Sequence, residues 1–137
     1  MKDKIFYISG PITGVENGNK ELFSSAESYL RSLGCRMVFN PARRDAANYT
    51  HITDPDEFWR FMMKYGIQEL LDSDAVLLLP FWYQSKGAKL ELEIAKALGK
   101  QIFYFQYGMM VIPTKYELDI NEYNNKAKRR GEFHSDK

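Results

Sequence analysis

The chain has 137 residues, 45% of them hydrophobic and 15% aromatic, enough apolar mass for one packed domain and too much for a disordered chain. With 19 basic against 18 acidic side chains the formal net charge is +1, which excludes a global field that would recruit a nucleic-acid polymer or an anionic membrane surface. The single cysteine, Cys35, cannot close an internal disulfide, no apolar run approaches the roughly 18 residues of a membrane span, and Met1 leads through Lys-Asp-Lys into a short strand rather than a secretory core, so a cytoplasmic protein is expected.

Ile5-Phe6-Tyr7-Ile8 is a short apolar run closed by Ser9-Gly10-Pro11, which predicts a buried strand entering a tight turn. From Asn19 to Leu33 the positions Leu22, Phe23, Ala26, Tyr29, Leu30 and Leu33 keep helical spacing, with Gly34 as the stop. Arg36 to Phe39 is the second strand, halted by Asn40-Pro41. Ala42 to Thr53 has no period and holds Arg43, Arg44, Asp45, Asn48, Tyr49 and His51; a loop of that length in a compact domain is often functional. Asp54-Pro55-Asp56-Glu57 is a helix start, with an aspartate cap, proline at the first position and a glutamate three residues after the cap. That helix is expected to turn Phe58, Phe61, Met62, Tyr65, Leu70 and Leu71 inward before Asp72-Ser73-Asp74 ends it. Ala75 to Leu79 reads as a strand covered on both faces. The loop Pro80 to Lys86, a helix from Gly87 to Leu98 stopped by Gly99, and a fourth strand Gln101 to Phe105 follow. Beyond Gly108 the pattern weakens; Asp119 to Arg130 is a candidate helix and Gly131 to Lys137 a frayed terminus.

Strands alternating with helical patterns predict an α/β fold: one domain over residues 1–137, a doubly wound, flavodoxin- or Rossmann-like parallel sheet of order 2-1-3-4 with helices on both faces. Its core spans about residues 4–105, and 106–137 form a C-terminal extension. The winding reverses between the first and third strands, and ligands in such sheets bind outside the carboxyl ends of the strands at that point. Ser9 to Gly14 and Pro80 to Gly87 are delivered there.

Beside this crevice stands an acid out of place. At about 100° per residue Lys89, Glu93 and Lys96 share one side of the Gly87–Leu98 helix, while Glu91 falls among Ala88, Ile94, Ala95 and Leu98. A carboxylate there loses hydration, so it either ties down a neighbouring loop or is tuned for chemistry in a cleft. Gly10-Pro11-Ile12-Thr13-Gly14 is either an ordinary strand-to-helix turn or a seat for an anion such as phosphate. It lacks the spacing of a dinucleotide fingerprint and the lysine of a Walker loop. Phe81-Trp82-Tyr83 either lids the core or stacks on a planar ring. Ser85 can hydrogen-bond a sugar hydroxyl or Glu91, and Tyr7 is a matching phenol on the first strand unless it simply packs in the core. His51, His134 and Cys35 have no metal-ligand spacing, and Lys126, Lys128, Arg129 and Arg130 read as a solvated helix end.

Tyr7-Ile8-Ser9-Gly10-Pro11-Ile12, Asn40-Pro41 and Ser85-x-Gly87-Ala88-x-x-Glu91-x-x-x-Ala95 together resemble the nucleoside 2-deoxyribosyltransferase superfamily over about residues 4 to 105. Leu78-Leu79-Pro80-x-Trp82-x-x-Ser85 resembles its small, often phage-associated branch. The resemblance implies cleavage or transfer at the N-glycosidic bond of a 2-deoxynucleoside or its 5′-monophosphate, with Glu91 as nucleophile, Ser85 and Tyr7 as its companions, and no metal or organic cofactor. Ser85 matches the serine of the nucleotide hydrolase branch, where the transferases usually carry aspartate. Gly10, Pro11, Ile12 and Thr13 would take the 5′ end, Phe81 or Trp82 would stack on the base, Arg43 would meet phosphate, and Asn40 and Gly87 complete the binding set. Gly66 stands where many relatives carry an acid that contacts the base, which leaves protonation of the departing base without an obvious donor. Two other classes stay open: a nucleotide-sensing module that kept the pocket and lost the chemistry, and a structural or interaction protein. A homodimer or higher oligomer is expected, because Phe58, Trp59, Phe61, Met62 and Met63 are more apolar than one helix face can hide and because relatives complete their sites across subunits.

Overall fold

The computed structural model describes residues 2–44 and 51–112. The expectations for Asp45, Asn48, Tyr49, His134, the Asp119–Arg130 helix with its basic end, and the terminal Gly131–Lys137 lie outside these residues. In chain order the elements are β1 (Ile5–Ser9), α1 (Lys20–Ser32), β2 (Met37–Phe39), α2 (Pro55–Leu71), β3 (Ala75–Leu78), α3 (Lys86–Ala97), β4 (Gln101–Gln106) and β5 (Met109–Val111). Among the described residues they form one five-stranded sheet of order β2-β1-β3-β4-β5. The four strands expected from the sequence pair in parallel, Tyr7 opposite Phe39 on one side and Val76 on the other.

The fifth strand is an addition to the expected sheet. β4 turns back into β5 antiparallel, with Gln106 opposite Met109. The two residues between them, Tyr107 and Gly108, both have positive φ (53° and 74°), the backbone that matches the twist of a two-residue hairpin. A tyrosine in the first of those positions hides the hairpin from a reading that looks for Asn-Gly or Asp-Gly.

Alternation along the strands sorts the core into two layers. Phe6, Ile8, Leu77, Leu79 and Phe105 pack with Phe23, Ala26 and Leu30 of α1 on one face of the sheet. Tyr7, Val76, Leu78 and Tyr104 pack with Leu70 of α2 and with Ala88, Leu92 and Ala95 of α3 on the other. The period of two therefore sends Tyr7 to the α2/α3 side while its neighbours face α1. Helix starts follow the local chemistry: the Asp54 carboxylate accepts the Glu57 N–H at 3.2 Å, and the Ser85 hydroxyl accepts the Ala88 N–H at 3.1 Å. Three inward positions expected from periodicity face out. Leu71 and Tyr65 of α2 are 52% and 40% exposed because the buried stripe runs through Gly66 and Leu70, and Leu71 is one residue, about 100°, off it. Leu98 is 54% exposed as the terminal cap of α3, ahead of Gly99 at φ 68°.

Candidate active site

At the carboxyl ends of β1 and β3 the chain leaves a cavity of about 330 Å³. The two strand exits run close together: the Leu79 N–H donates to the Ser9 carbonyl at 2.9 Å, and a Cβ on Gly10 would stand 2.8 Å from the Leu79 Cβ. Glycine at position 10 is thus required by the closeness of β3. Around the cavity stand Gly10, Ile12 and Thr13 of the first turn, Pro41, Ala42 and Arg44 after β2, Phe58, Trp59, Met62 and Met63 of α2, and Ser85, Gly87, Ala88 and Glu91 of α3.

Glu91 is 5% exposed and holds one hydrogen bond on each carboxylate oxygen. The Tyr7 phenol donates to Oε2 at 2.6 Å and the Ser9 hydroxyl donates to Oε1 at 2.7 Å. Tyr7 and Ser9 are two apart on β1, so both face α3. Burial pushes the Glu91 carboxyl up to about 7, against the opposing pull of the Tyr7 and Ser9 hydrogen bonds and of the Arg44 charge. Burial, then the Glu91 charge and hydrogen bond, push the Tyr7 phenol well above its ordinary value, so it remains a donor. A half-ionised carboxylate at neutral pH, dry on one side and open to a cavity on the other, can act as a nucleophile or as a proton carrier.

Gly66 is where α2 touches this pair. A Cβ there would lie 2.8 Å from both Glu91 Oε2 and the Tyr7 hydroxyl. The position expected to carry an acid in relatives therefore has no room for any side chain without moving the Tyr7–Glu91 bond. One turn further along α2, Glu69 pairs with Arg44, and the Arg44 guanidinium carbon lies 5.7 Å from the Tyr65 ring centre.

Several expected binding residues sit elsewhere. Trp82 is 2% exposed and packs edge-on against Tyr83 and near Tyr104, in the core layer shared with α3 and off the cavity wall. Phe81 is 52% exposed and also off the wall. The cause is the backbone: Phe81 adopts φ 65° and opens a tight turn, Trp82–Gln84, that tucks the next two rings inward. Among the described residues the aromatic side chains lining the cavity besides Tyr7 are Phe58 and Trp59, and the Lys86 ammonium lies 4.0 Å from the Trp59 ring centre. The apolar density of α2 that sequence reading assigned to a subunit contact is in part this cavity wall. Pro11 does not line the cavity; its carbonyl accepts from the Asn19 side chain at 3.0 Å and fixes the turn. Asn40 and Arg43 line a smaller recess of about 130 Å³ that shares Lys20 and Ala42 with the main one. Asn40 donates to Glu27 at 3.0 Å and Arg43 pairs with it at 3.1 Å. Burial alone would raise the Glu27 carboxyl, yet the Arg31 and Asn40 hydrogen bonds and the Arg43 charge hold it below the ordinary value. Ser85 lines the cavity, but its hydroxyl is the helix cap and Ser9 fills the place beside Glu91. The sequence places Ser9 in the crevice turn and Arg44 in the long loop without giving either a role, and assigns the α2 wall to a subunit contact; only Ser9 carried a signal for its role, its two-residue spacing from Tyr7.

Among the described residues no helix is long and apolar enough to cross a membrane, and no group of three or more His, Cys, Asp or Glu side chains is placed to hold a metal ion. No curated protein matches the chain. A solved structure it resembles is a 2-deoxyribosyltransferase from the psychrotolerant bacterium Bacillus psychrosaccharolyticus, with a TM-score of 0.54 and 25% identity over 74% of this chain and 71% of that one. The doubly wound sheet is common to both. Residues 4–104 match the family described as a domain of unknown function, DUF4406, a stretch that takes in β1 to β3, most of β4 and every described residue of the cavity wall; the chain belongs to that family.

Proposed function

We propose that the protein cleaves or transfers the base of a 2-deoxynucleoside or its 5′-monophosphate, with Glu91 as the nucleophile. The observation that carries this reading is the Glu91 carboxylate: buried, held on both oxygens by Tyr7 and Ser9, and lining a cavity of a size suited to a nucleoside. The likeness to a 2-deoxyribosyltransferase supports it at the level of fold and reaction class. A Glu91 oxygen attacks the anomeric carbon as the bond to the base breaks, through an oxocarbenium-like transition state. The glycosyl-enzyme is then resolved by water or by a second base, with net retention. Tyr7 and Ser9 aim the carboxylate and keep its charge from wandering; neither needs to give up its proton. Phe58 and Trp59 offer the flat apolar surface for a ring, and the Gly10–Thr13 turn with Lys20 faces the 5′ end. Ser85 in place of an aspartate favours the monophosphate hydrolase over the transferase.

The test is incubation with a panel of deoxynucleosides and their 5′-monophosphates, with and without an acceptor base, reading free or exchanged base by chromatography. Wild type releases base, and Glu91→Gln, which keeps the shape and removes the charge, loses about 10³-fold or more in turnover with a far smaller change in affinity. Equal release by Glu91→Gln would make Glu91 structural. A second reading, a nucleotide-sensing module, is favoured by the absence of an acid at Gly66; tight binding by wild type with no base released would establish it instead.

A further inference from the structure

Among the described residues the ionisable side chains lining the cavity are Tyr7, Lys20, Arg44 and Glu91. Tyr7 spends its proton on Glu91, Gly66 leaves no room for an acid against that pair, and Lys20 is exposed on the side shared with the smaller recess. Among the described residues, then, the wall offers a departing base a fixed cation rather than a proton. Building on the base-release reading above, we propose that Arg44 reads the base and that the base is a 6-oxopurine, guanine or hypoxanthine.

Arg44 is built to hold one orientation. Its side chain is 14% exposed, one N–H is taken by Glu69, and the Tyr65 ring packs near the guanidinium. Glu69 lies three residues after Gly66, on the neighbouring turn of the same helix face, so the fork is tethered one turn from the residue that touches Glu91. Arg44 lines the same cavity as Glu91 and Tyr7, and its charge is felt at both. A guanidinium is a planar fork of donors with no acceptor, and it stays charged at any working pH. Its complement is a pair of adjacent acceptors in one plane. O6 and N7 of guanine or hypoxanthine are such a pair, on the edge away from the sugar; adenine sets an amino donor beside N7, thymine's two carbonyls flank an N–H donor, and cytosine's pair, N3 and O2, lies on the edge beside the glycosidic bond.

The same contact serves the reaction. As a Glu91 oxygen bonds to the anomeric carbon, the C–N9 bond breaks and its electron pair passes to N9, spreading over N7 and O6. The guanidinium meets that charge where it develops, so the base departs as an anion and takes its proton from water after release. No acid at position 66 is needed for a base that leaves this way.

The experiment compares deoxyinosine and deoxyadenosine, and their 5′-monophosphates, for base release and for binding by calorimetry, in wild type, Arg44→Met and Arg44→Lys. Wild type is expected to favour hypoxanthine over adenine by about 10- to 100-fold in kcat/KM, the discrimination of a bidentate contact. That ratio should collapse toward one in Arg44→Met, and largely so in Arg44→Lys, which keeps the charge and loses the fork. Equal use of the two bases by wild type, or a ratio unchanged in Arg44→Met, overturns the assignment while leaving base release intact. Selective binding of the hypoxanthine nucleotide that depends on Arg44, with no base released, upholds the assignment and removes the catalytic reading instead. Absence of both release and binding overturns both.

Discussion

Gly66→Ala sets two effects of opposite sign against each other. Gly66 lies inside α2 without a positive φ, so on propensity alone alanine should stabilise the helix by about 1 kcal/mol. Its Cβ, however, would stand 2.8 Å from Glu91 Oε2 and from the Tyr7 hydroxyl, and neither of those atoms can swing into solvent, since Tyr7 is 1% and Glu91 5% exposed. Relief requires parting the 2.6 Å Tyr7–Glu91 bond, which at a buried charged acceptor costs about 1.5–3 kcal/mol, or shifting α2, with an overpacking cost of about 1–3 kcal/mol. The loss offsets or exceeds the gain, for a net destabilisation of up to about 2 kcal/mol. At roughly 4 °C per kcal/mol for a domain of this size, Tm should fall by up to about 8 °C. Base release should fall at the same time, because the displaced carboxylate is the proposed nucleophile. Calorimetric melting of wild type, Gly66→Ala, Tyr7→Phe and the double variant reads the contest directly. Tyr7→Phe removes the hydroxyl that clashes, so the alanine should cost less in that background. A Tm for Gly66→Ala at or above wild type, with base release intact, would refute the close approach of α2 to the Tyr7–Glu91 pair.

The remaining predictions concern the same cavity. Folding raises the Glu91 carboxyl from 4.5 to about 7, so the native state favours the protonated form; that contribution is fully present below about pH 4.5 and is lost as pH rises through 7, on the order of 3 kcal/mol in total. Glu91→Gln removes this dependence, so its Tm relative to wild type should climb between pH 5 and pH 8, and a difference that stays constant across that range counts against the shift. Wild-type base release should rise through the same window, since the ionised form attacks. Trp59→Ala should weaken nucleotide binding by about 10- to 100-fold, the worth of one ring stacked on a base, whereas Phe81→Ala should bind within about twofold of wild type; titration of the two variants side by side decides between the α2 wall and the Pro80–Lys86 loop. Ser9→Ala removes a hydrogen bond that holds the Glu91 carboxyl down, so its pH–rate profile should move to higher pH, while Ser85→Ala should cost about 1 kcal/mol of stability as a lost helix cap with the profile in place.

Local chemistry written along the chain was enough for the parallel strands, their order and the helix between Ser85 and Gly99, because hydrophobic period and capping residues act over a few neighbours. It was also enough to mark Glu91, since one charge in an apolar stripe is visible without coordinates. Which hydroxyl joins the expected Tyr7 beside that charge was a tertiary matter. Ser9 is 82 residues away from it, and Ser85, though nearer in sequence, is spent on capping its own helix. The aromatic wall shows the same division. Phe81-Trp82-Tyr83 looks like a binding cluster until one positive φ at Phe81 folds two of its rings into the core, and Phe58 and Trp59 look like surplus apolar residues until the packing of α2 against α3 turns them to the cavity. Gly66 reads as a missing acid in the sequence; in the fold it is the space that the Tyr7–Glu91 hydrogen bond occupies, because backbone and side chain there approach too closely for any Cβ. Distances of that kind are set by the sum of packing over the whole domain, and no short segment contains them.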